Sequence, residues 1–198
     1  MSADGIGVYV HWPYCRSKCP YCDFNSQPIS QGFDEDIWLS GLLAELDRSL
    51  IETDPAPIAS VFFGGGTPSL MGAKSLGAIL DRLAKARPLA ADLEVTIEAN
   101  PTASESRRFR GFRSAGVTRL SLGIQSLDDL ALKFLGRRHS AKAALAALER
   151  GRAIFDRVSA DFIYALPDQS PAAWTEQLGR IAALGLDHLS LYQLTIEP

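Results

Sequence analysis

Ser60-Val61-Phe62-Phe63-Gly64-Gly65-Gly66-Thr67-Pro68 is the stretch that decides the fold. An apolar, partly β-branched run stops abruptly at three glycines, and residues 73–86 then carry apolar side chains at helical spacing, so the order is strand, turn, helix. The same order recurs around apolar runs at Ile6-Val10, Leu93-Glu98, Arg119-Ile124, Val158-Ile163 and His188-Leu194. Helical periodicity follows at 104–115, 140–155 and 170–184. Between the first two runs Asp34 can cap a helix whose Ile37, Leu42, Leu43, Leu46 and Leu50 form one apolar face. Gly116 and Gly185 suit the left-handed position that closes a helix before the next strand. Six strands alternating with helices imply an α/β protein with a parallel sheet, because parallel neighbours need long crossover connections. Right-handed crossovers leave two architectures, a doubly wound sheet or an open (β/α) barrel.

The 198 residues are 46% hydrophobic and 22% charged, ordinary proportions for one globular domain and too apolar for wholesale disorder. A net charge of −3 with no block of like charge excludes the electrostatic footprint of a nucleic-acid binder. The start, MSADGIGVYVHW, lacks the basic and apolar regions of a secretory signal, and no run reaches the roughly 18 apolar residues of a membrane span. A cytoplasmic location is therefore expected, where thiols stay reduced and cysteines serve metals or catalysis more often than disulfides. The sixth run ends close to Pro198 with no helix to cover it, so residues 1–198 are expected to be one domain cut from a longer chain.

Unusual polar residues gather at one end of the runs. The cysteine segment follows the first, the triple glycine follows the second, Glu98-Ala99-Asn100-Pro101 ends the third and Gln125-Ser126 follows the fourth. Asp161 lies in the fifth, and Gln193 and Thr195 end the sixth. The carboxyl ends of parallel strands are where barrels and open sheets bind ligands, so a single shared site is expected.

Cys15-Arg16-Ser17-Lys18-Cys19-Pro20-Tyr21-Cys22 has C-x3-C-x2-C spacing. Three thiolates this close can converge on one 4Fe-4S cubane and leave its fourth iron free for another ligand. The alternatives are a structural zinc held by the cysteines with His11, or free thiols; zinc prefers two separated pairs, and no second pair exists. The glycine turn exposes backbone N–H groups to a close-lying polar ligand, yet lacks the lysine and hydroxyl of a phosphate loop. Glu98 and Asp161 stand in apolar strands, where a charge is costly unless it is paired or faces a ligand. Their bland alternative is an ion pair with Arg119 or Arg137. Arg137-Arg138-His139 can equally be a solvated helix end, Gln125 a backbone cap, and Tyr9 core packing.

Together, Tyr9-Val10-His11-Trp12-Pro13, the cysteine motif, the Gly-Gly-Gly-Thr-Pro turn, Leu122-Gly123-Ile124-Gln125-Ser126 and Leu166-Pro167-Asp168-Gln169-Ser170 are far more specific than any one of them. The combination resembles the radical S-adenosylmethionine (SAM) proteins, and within them the oxygen-independent coproporphyrinogen III oxidase family, from Gly7 to Pro198. The resemblance implies an open, partial TIM-type (β/α)6 barrel of the radical SAM type, followed in family members by a longer carboxyl-terminal region. It implies Cys15, Cys19 and Cys22 as ligands of a 4Fe-4S cluster whose fourth iron takes the amino and carboxylate groups of SAM. Tyr9, Gly65 and Glu98 then fall at contacts to that SAM; Tyr21, Gly66, Thr67, Gln125, Arg137, Asp161 and Thr195 fall where the oxidase branch contacts a second one. Oxidases tend to carry a fourth cysteine two residues after the third, whereas Phe24 stands there. The string Cys22-Asp23-Phe24-Asn25-Ser26 is similar instead to the heme chaperone branch called HemW. That similarity implies heme, heme-accepting proteins and a one-electron donor as partners, puts porphyrinogen decarboxylation in doubt and assigns no catalytic residue. His11, His139 and His188 are poor heme ligands, since each has an adequate packing or surface role.

Overall fold

The computed structural model describes residues 5–195. Strand β1 (Ile6–Trp12) is followed by a short β2 (Tyr14–Cys15) and β3 (Gln27–Pro28), helix α1 (Glu35–Glu52), β4 (Ile58–Gly65), a single 3-10 turn at Pro68–Leu70 and α2 (Ala73–Ala86). Then come β5 (Leu89–Ala99), α3 (Ala103–Ser106), α4 (Phe109–Ser114), β6 (Arg119–Gln125), α5 (Asp129–Phe134), α6 (Ala141–Arg152), β7 (Arg157–Tyr164), α7 (Pro171–Ala182) and β8 (His188–Gln193).

The main sheet is wholly parallel and ordered β1-β4-β5-β6-β7-β8. Because spatial order follows chain order, every crossover winds the same way and no strand reversal exists, which removes the doubly wound alternative. The six strands curl into a half-barrel. One face packs on the helices: Val61, Phe63, Val95, Ile97, Leu120, Leu122, Val158, Ala160 and Phe162 are buried against Leu76, Ile79 and Leu83 of α2, Phe109 and Phe112 of α4, Leu148 of α6 and Ile181 of α7. Each such large side chain contributes roughly 1.5–3 kcal/mol on burial. Alternate residues on the other face are polar, among them Thr96, Glu98, Arg119, Ser121, Ser159 and Asp161. That polarity gives the half-barrel an interior suited to a ligand.

Asp34 caps α1 as expected, accepting from the backbone N–H groups of Asp36 at 2.9 Å and Ile37 at 3.2 Å. The apolar face needs one correction. Ile37 is 72% exposed, while Trp38, Leu39, Leu42, Leu43, Leu46 and Leu50 lie on the core. Trp38, one helical turn before Leu42, holds the position assigned to Ile37. The segment read as one helix over 104–115 is two, because the Arg108 N–H bonds Glu105 O at 2.9 Å, three residues back, in a tighter turn. The helix read over 140–155 is confined to α6, with the Ser140 hydroxyl accepting from Ala143 N–H. Helix α5, capped by Asp128, was not foreseen: six residues are too few to display a period. Gly116 and Gly185 take positive φ, +109° and +61°, as read.

Candidate functional site

The cysteine loop is pinned at both roots before any ligand is considered. Trp12 is fully buried, sits edge-on to Tyr14, Phe33 and Trp38 with ring centroids 4.7–5.7 Å away, and donates from Nε1 to Tyr14 O at 2.8 Å. The return strand closes with Gln27 N–H on Pro13 O and Ile29 N–H on Cys15 O, both 2.8 Å. Inside, Cys22 N–H turns back on Cys19 O at 3.1 Å. His11 Nε2–H donates to Asn25 O at 2.8 Å, which leaves Nδ1 as the acceptor of the Tyr9 hydroxyl at 3.2 Å. The loop is therefore held by Trp12 at its start, by His11 at Asn25 and by the β2–β3 pairing at its end.

The glycine turn lies under the loop. Gly66 N–H bonds Trp12 O at 2.7 Å and Thr67 N–H bonds Tyr14 O at 2.9 Å. A Cβ on Gly66 would meet the Tyr14 backbone at 2.8–3.0 Å, and Gly65 combines φ +111° with a Cβ position 2.7 Å from the His11 ring. Only glycine fits either position without moving a neighbour. Gly65 N–H donates to Glu98 Oε2 at 3.2 Å, and the Thr67 hydroxyl donates to Cys15 Sγ at 3.4 Å.

A cavity of about 470 Å³, within the roughly 300–1,000 Å³ of small-molecule sites, opens at the strands' carboxyl ends. Cys15, Cys19, Cys22, Tyr21, Gly65, Gly66, Thr67, Glu98, Gln125, Arg137, Asp161 and Thr195 all line it. Of the site residues picked from sequence, Tyr9 alone is not on its lining; it is 58% exposed and stacked on Phe62, so core packing does not describe it. Asn100 and Phe24 also line the cavity. Asn100 Nδ2 donates to Thr67 Oγ1 at 3.2 Å and its Oδ1 accepts from Arg137, a role the Glu98-Ala99-Asn100-Pro101 strand end could have signalled.

Glu98 and Asp161 are not the ion pairs that the bland alternative expected. Burial, then the charge of Asp161, pushes Glu98 up to about 7, while the Gly65 N–H pulls it back. Asp161 is also raised by burial, moderated by Ser190 and then by Arg119. Nor are Arg137 and His139 part of a solvated helix end; of the three, Arg138 is exposed. Arg137 reaches inward to Gly123 O at 2.8 Å, Tyr21 Oη at 3.4 Å and Cys19 Sγ at 3.6 Å. His139 is buried with Nε2 3.0 Å from Ile124 O; burial, then Arg137, lowers it to about 4, so its ring is neutral. Tyr21 is pushed up to about 12, chiefly by burial, and stays a phenol. Gln125 does not cap a neighbour: φ is +69°, and its Oε1, like Arg137 Nε, is buried without a hydrogen-bond partner among the described residues. An unpaired buried polar atom costs roughly 1–3 kcal/mol, and strained backbone of this kind gathers at functional sites. The wall is built for a polar ligand.

The donor set fits an iron–sulfur group and SAM: three thiols, a glycine turn free of side chains, the carboxylates of Asp23, Glu98 and Asp161, and three buried polar atoms left without partners, Ser26 Oγ, Gln125 Oε1 and Arg137 Nε, share one cavity. Among the described residues, no three His, Cys, Asp or Glu side chains are gathered closely enough to hold a single metal ion. The case for a metal group at the thiols rests on their spacing, their place and the donors around them.

A half-barrel with three thiols beyond its first strand and a glycine turn beyond its second defines a class. The radical SAM superfamily profile matches residues 9–191, and the chain belongs to that superfamily, whose members are expected to bind SAM and a 4Fe-4S cluster. Within it, the chain falls in the family of heme chaperone HemW and the oxygen-independent coproporphyrinogen III oxidases. It is 40% identical over 194 residues to heme chaperone HemW of Escherichia coli, covering 98% of this chain and 51% of that protein. It is 47% identical over 191 residues to the mitochondrial radical S-adenosyl methionine domain-containing protein 1 of Mus musculus, covering 96% and 43%. The solved coproporphyrinogen III oxidase of Escherichia coli, described as a radical SAM enzyme, superposes with a TM-score of 0.86 at 28% identity, covering 98% and 45%. The chain spans about half the length of the curated relatives it matches. No helix among the described residues is long and apolar enough to cross a membrane.

Proposed function

We propose that residues 1–198 are the radical SAM core of a cytoplasmic heme chaperone, which binds a 4Fe-4S cluster and SAM and hands heme to acceptor proteins. The observation that carries this reading is the cavity in which the three thiols meet the glycine turn, the Glu98 and Asp161 carboxylates and the unpartnered Gln125 and Arg137 atoms. Cys15, Cys19 and Cys22 would hold the cluster, which when bound supplies an open iron for the amino and carboxylate groups of SAM and a route for one electron.

The chain's own residues then divide the work. Gly65 and Gly66, whose N–H groups are held by Glu98 and by Trp12 O, leave no side chain in the way of a ligand, and Tyr9, fixed by His11, presents a hydroxyl beside the cavity. Glu98, held by Gly65 N–H, is poised to lose its proton to solvent when a cationic ligand arrives. Tyr21, Gly66, Thr67, Gln125, Arg137, Asp161 and Thr195 would take a second SAM where one binds. Chaperone rather than oxidase is supported by Phe24, which stands where the oxidases tend to carry a fourth cysteine, and by the 40% identity to HemW against 28% to the oxidase. Heme would be handled by the whole protein, of which this chain matches one part.

Incubating the full-length protein with reductant, SAM and coproporphyrinogen III should leave the substrate unchanged, while heme loaded on the protein should pass to an apo-cytochrome. Formation of protoporphyrinogen would overturn the chaperone reading in favour of the oxidase.

A further inference from the structure

Asn100 stands between the guanidinium of Arg137 and the hydroxyl beside the first thiol, and the order of donors along that line is fixed. A guanidinium has no acceptor, so the Asn100 atom facing Arg137 Nη2 is Oδ1. The amide nitrogen is thereby turned to Thr67 Oγ1, to which it donates at 3.2 Å. A hydroxyl has one proton to give. With a donor on the Asn100 side, the Thr67 proton goes to its other partner among the described residues, Cys15 Sγ at 3.4 Å. Were the amide reversed, its oxygen would take that proton and Cys15 would lose it.

Both ends of the Asn100–Thr67 contact are clamped on one carboxyl. Glu105, 2% exposed, accepts from Asn100 N–H at 2.9 Å and from the Ser69 hydroxyl through Oε2, and from the Thr102 hydroxyl at 3.1 Å through Oε1. Ser69 lies two residues beyond Thr67, so the end of β5 and the turn after β4 are held at a fixed separation. Thr67 is itself buried, and a hydrogen bond shielded from water is stronger than one in solvent. Arg137 also reaches Cys19 Sγ directly, at 3.6 Å. Two of the three sulfurs thus face a donor, while Cys22 Sγ has none among the described residues.

We propose that Asn100 is a positioning residue: by holding the Thr67 hydroxyl proton on Cys15 Sγ, it raises the reduction potential of the group bound by Cys15, Cys19 and Cys22. The proposal rests on the cluster reading above. A hydrogen bond to a thiolate sulfur withdraws charge from it and favours the more negative, reduced state; such bonds are among the features that set cluster potentials. In the couple concerned the thiolate-bound group gains one electron from the reductant, and no bond forms or breaks.

The decisive variant is Asn100→Asp in the full-length protein. Aspartate keeps the size of the side chain and the pairing with Arg137, but offers Thr67 an acceptor where Asn100 offers a donor, so the hydroxyl turns away from Cys15. Its added charge also lowers the potential, and a double-mutant cycle with Thr67→Val separates the two effects. In a dithionite titration followed by electron paramagnetic resonance, Asn100→Asp should favour the oxidised form by about tenfold more in the parent background than in Thr67→Val, about 59 mV for a one-electron couple. Thr67→Ser, which keeps the hydroxyl, should retain the parent potential. Equal shifts in both backgrounds at unchanged iron content would overturn the proposal. The iron-free, reduced protein gives a second readout: the Cys15 S–H Raman band, identified by its loss in Cys15→Ser, should move in Asn100→Asp and stay in place when that change is added to Thr67→Val. A band indifferent to Asn100 in both backgrounds counts against the proposal as firmly. A parent protein with no dithionite-reducible chromophore would instead sink the cluster reading, and the Raman comparison would still decide where the hydroxyl points. Asn100→Ala, taken through the same cycle, replaces Asn100→Asp should the latter misfold.

Discussion

Glu98 is the residue whose environment says most about the site. Its carboxyl is raised from 4.5 to about 7, so between those pH values the folded protein holds a proton that the unfolded chain has released. The stability tied to that proton is complete below about pH 4.5 and is lost as pH rises through 7. Glu98→Gln should therefore be more stable than the parent at pH 8, by roughly 3 kcal/mol on a shift of that size, with the difference vanishing near pH 4. Urea denaturation across this range measures it, and a variant equally destabilised at every pH would refute the assignment. SAM should bind more tightly as pH rises through 7, since a cation favours the ionised carboxylate. The sequence made Glu98 and Asp161 conspicuous because carboxylates in apolar strands demand a reason. It could not show that Gly65 N–H, rather than an arginine, would be the partner of Glu98, because that contact joins residues 33 positions apart across two strands. Which of Arg137, Arg138 and His139 turn inward was hidden for a similar reason: a basic tripeptide is usually solvated, and the turn after α5 folds Arg137 and His139 inward while Arg138 stays exposed.

Among the elements, the β1–loop–glycine-turn assembly matters most. Trp12 closes the root of the cysteine loop, and Trp12→Ala removes a fully buried indole from between three aromatic rings. A loss of about 3–5 kcal/mol is expected from denaturation midpoints, together with poorer iron retention; full iron retention would show that the loop does not depend on its root. Gly66→Ala places a methyl against the Tyr14 backbone and should lower Tm while weakening SAM binding. An unchanged Tm would mean that β2 moves freely. The long strands and helices were readable because each displays its period over several turns or alternations. β2, β3, the 3-10 turn and α5 are too short to do so, and their order comes from tertiary hydrogen bonds.

For the whole molecule, sequential strand order turned an open choice between two parallel folds into a half-barrel whose polar interior and carboxyl-end cavity face the same ligand. That choice could not be made from alternation alone, since both folds share it; strand adjacency is a property of the closed chain. The convergence of the strand-end polar residues on one cavity was readable, because parallel strands put all their carboxyl ends on one edge. The central claim is that the three thiols hold a cluster. Anaerobic reconstitution with iron and sulfide, with zinc present in competition, should give about four irons per chain and a brown chromophore that Cys19→Ala abolishes. Stoichiometric zinc with no chromophore, or a full-strength cluster in Cys19→Ala, would contradict it.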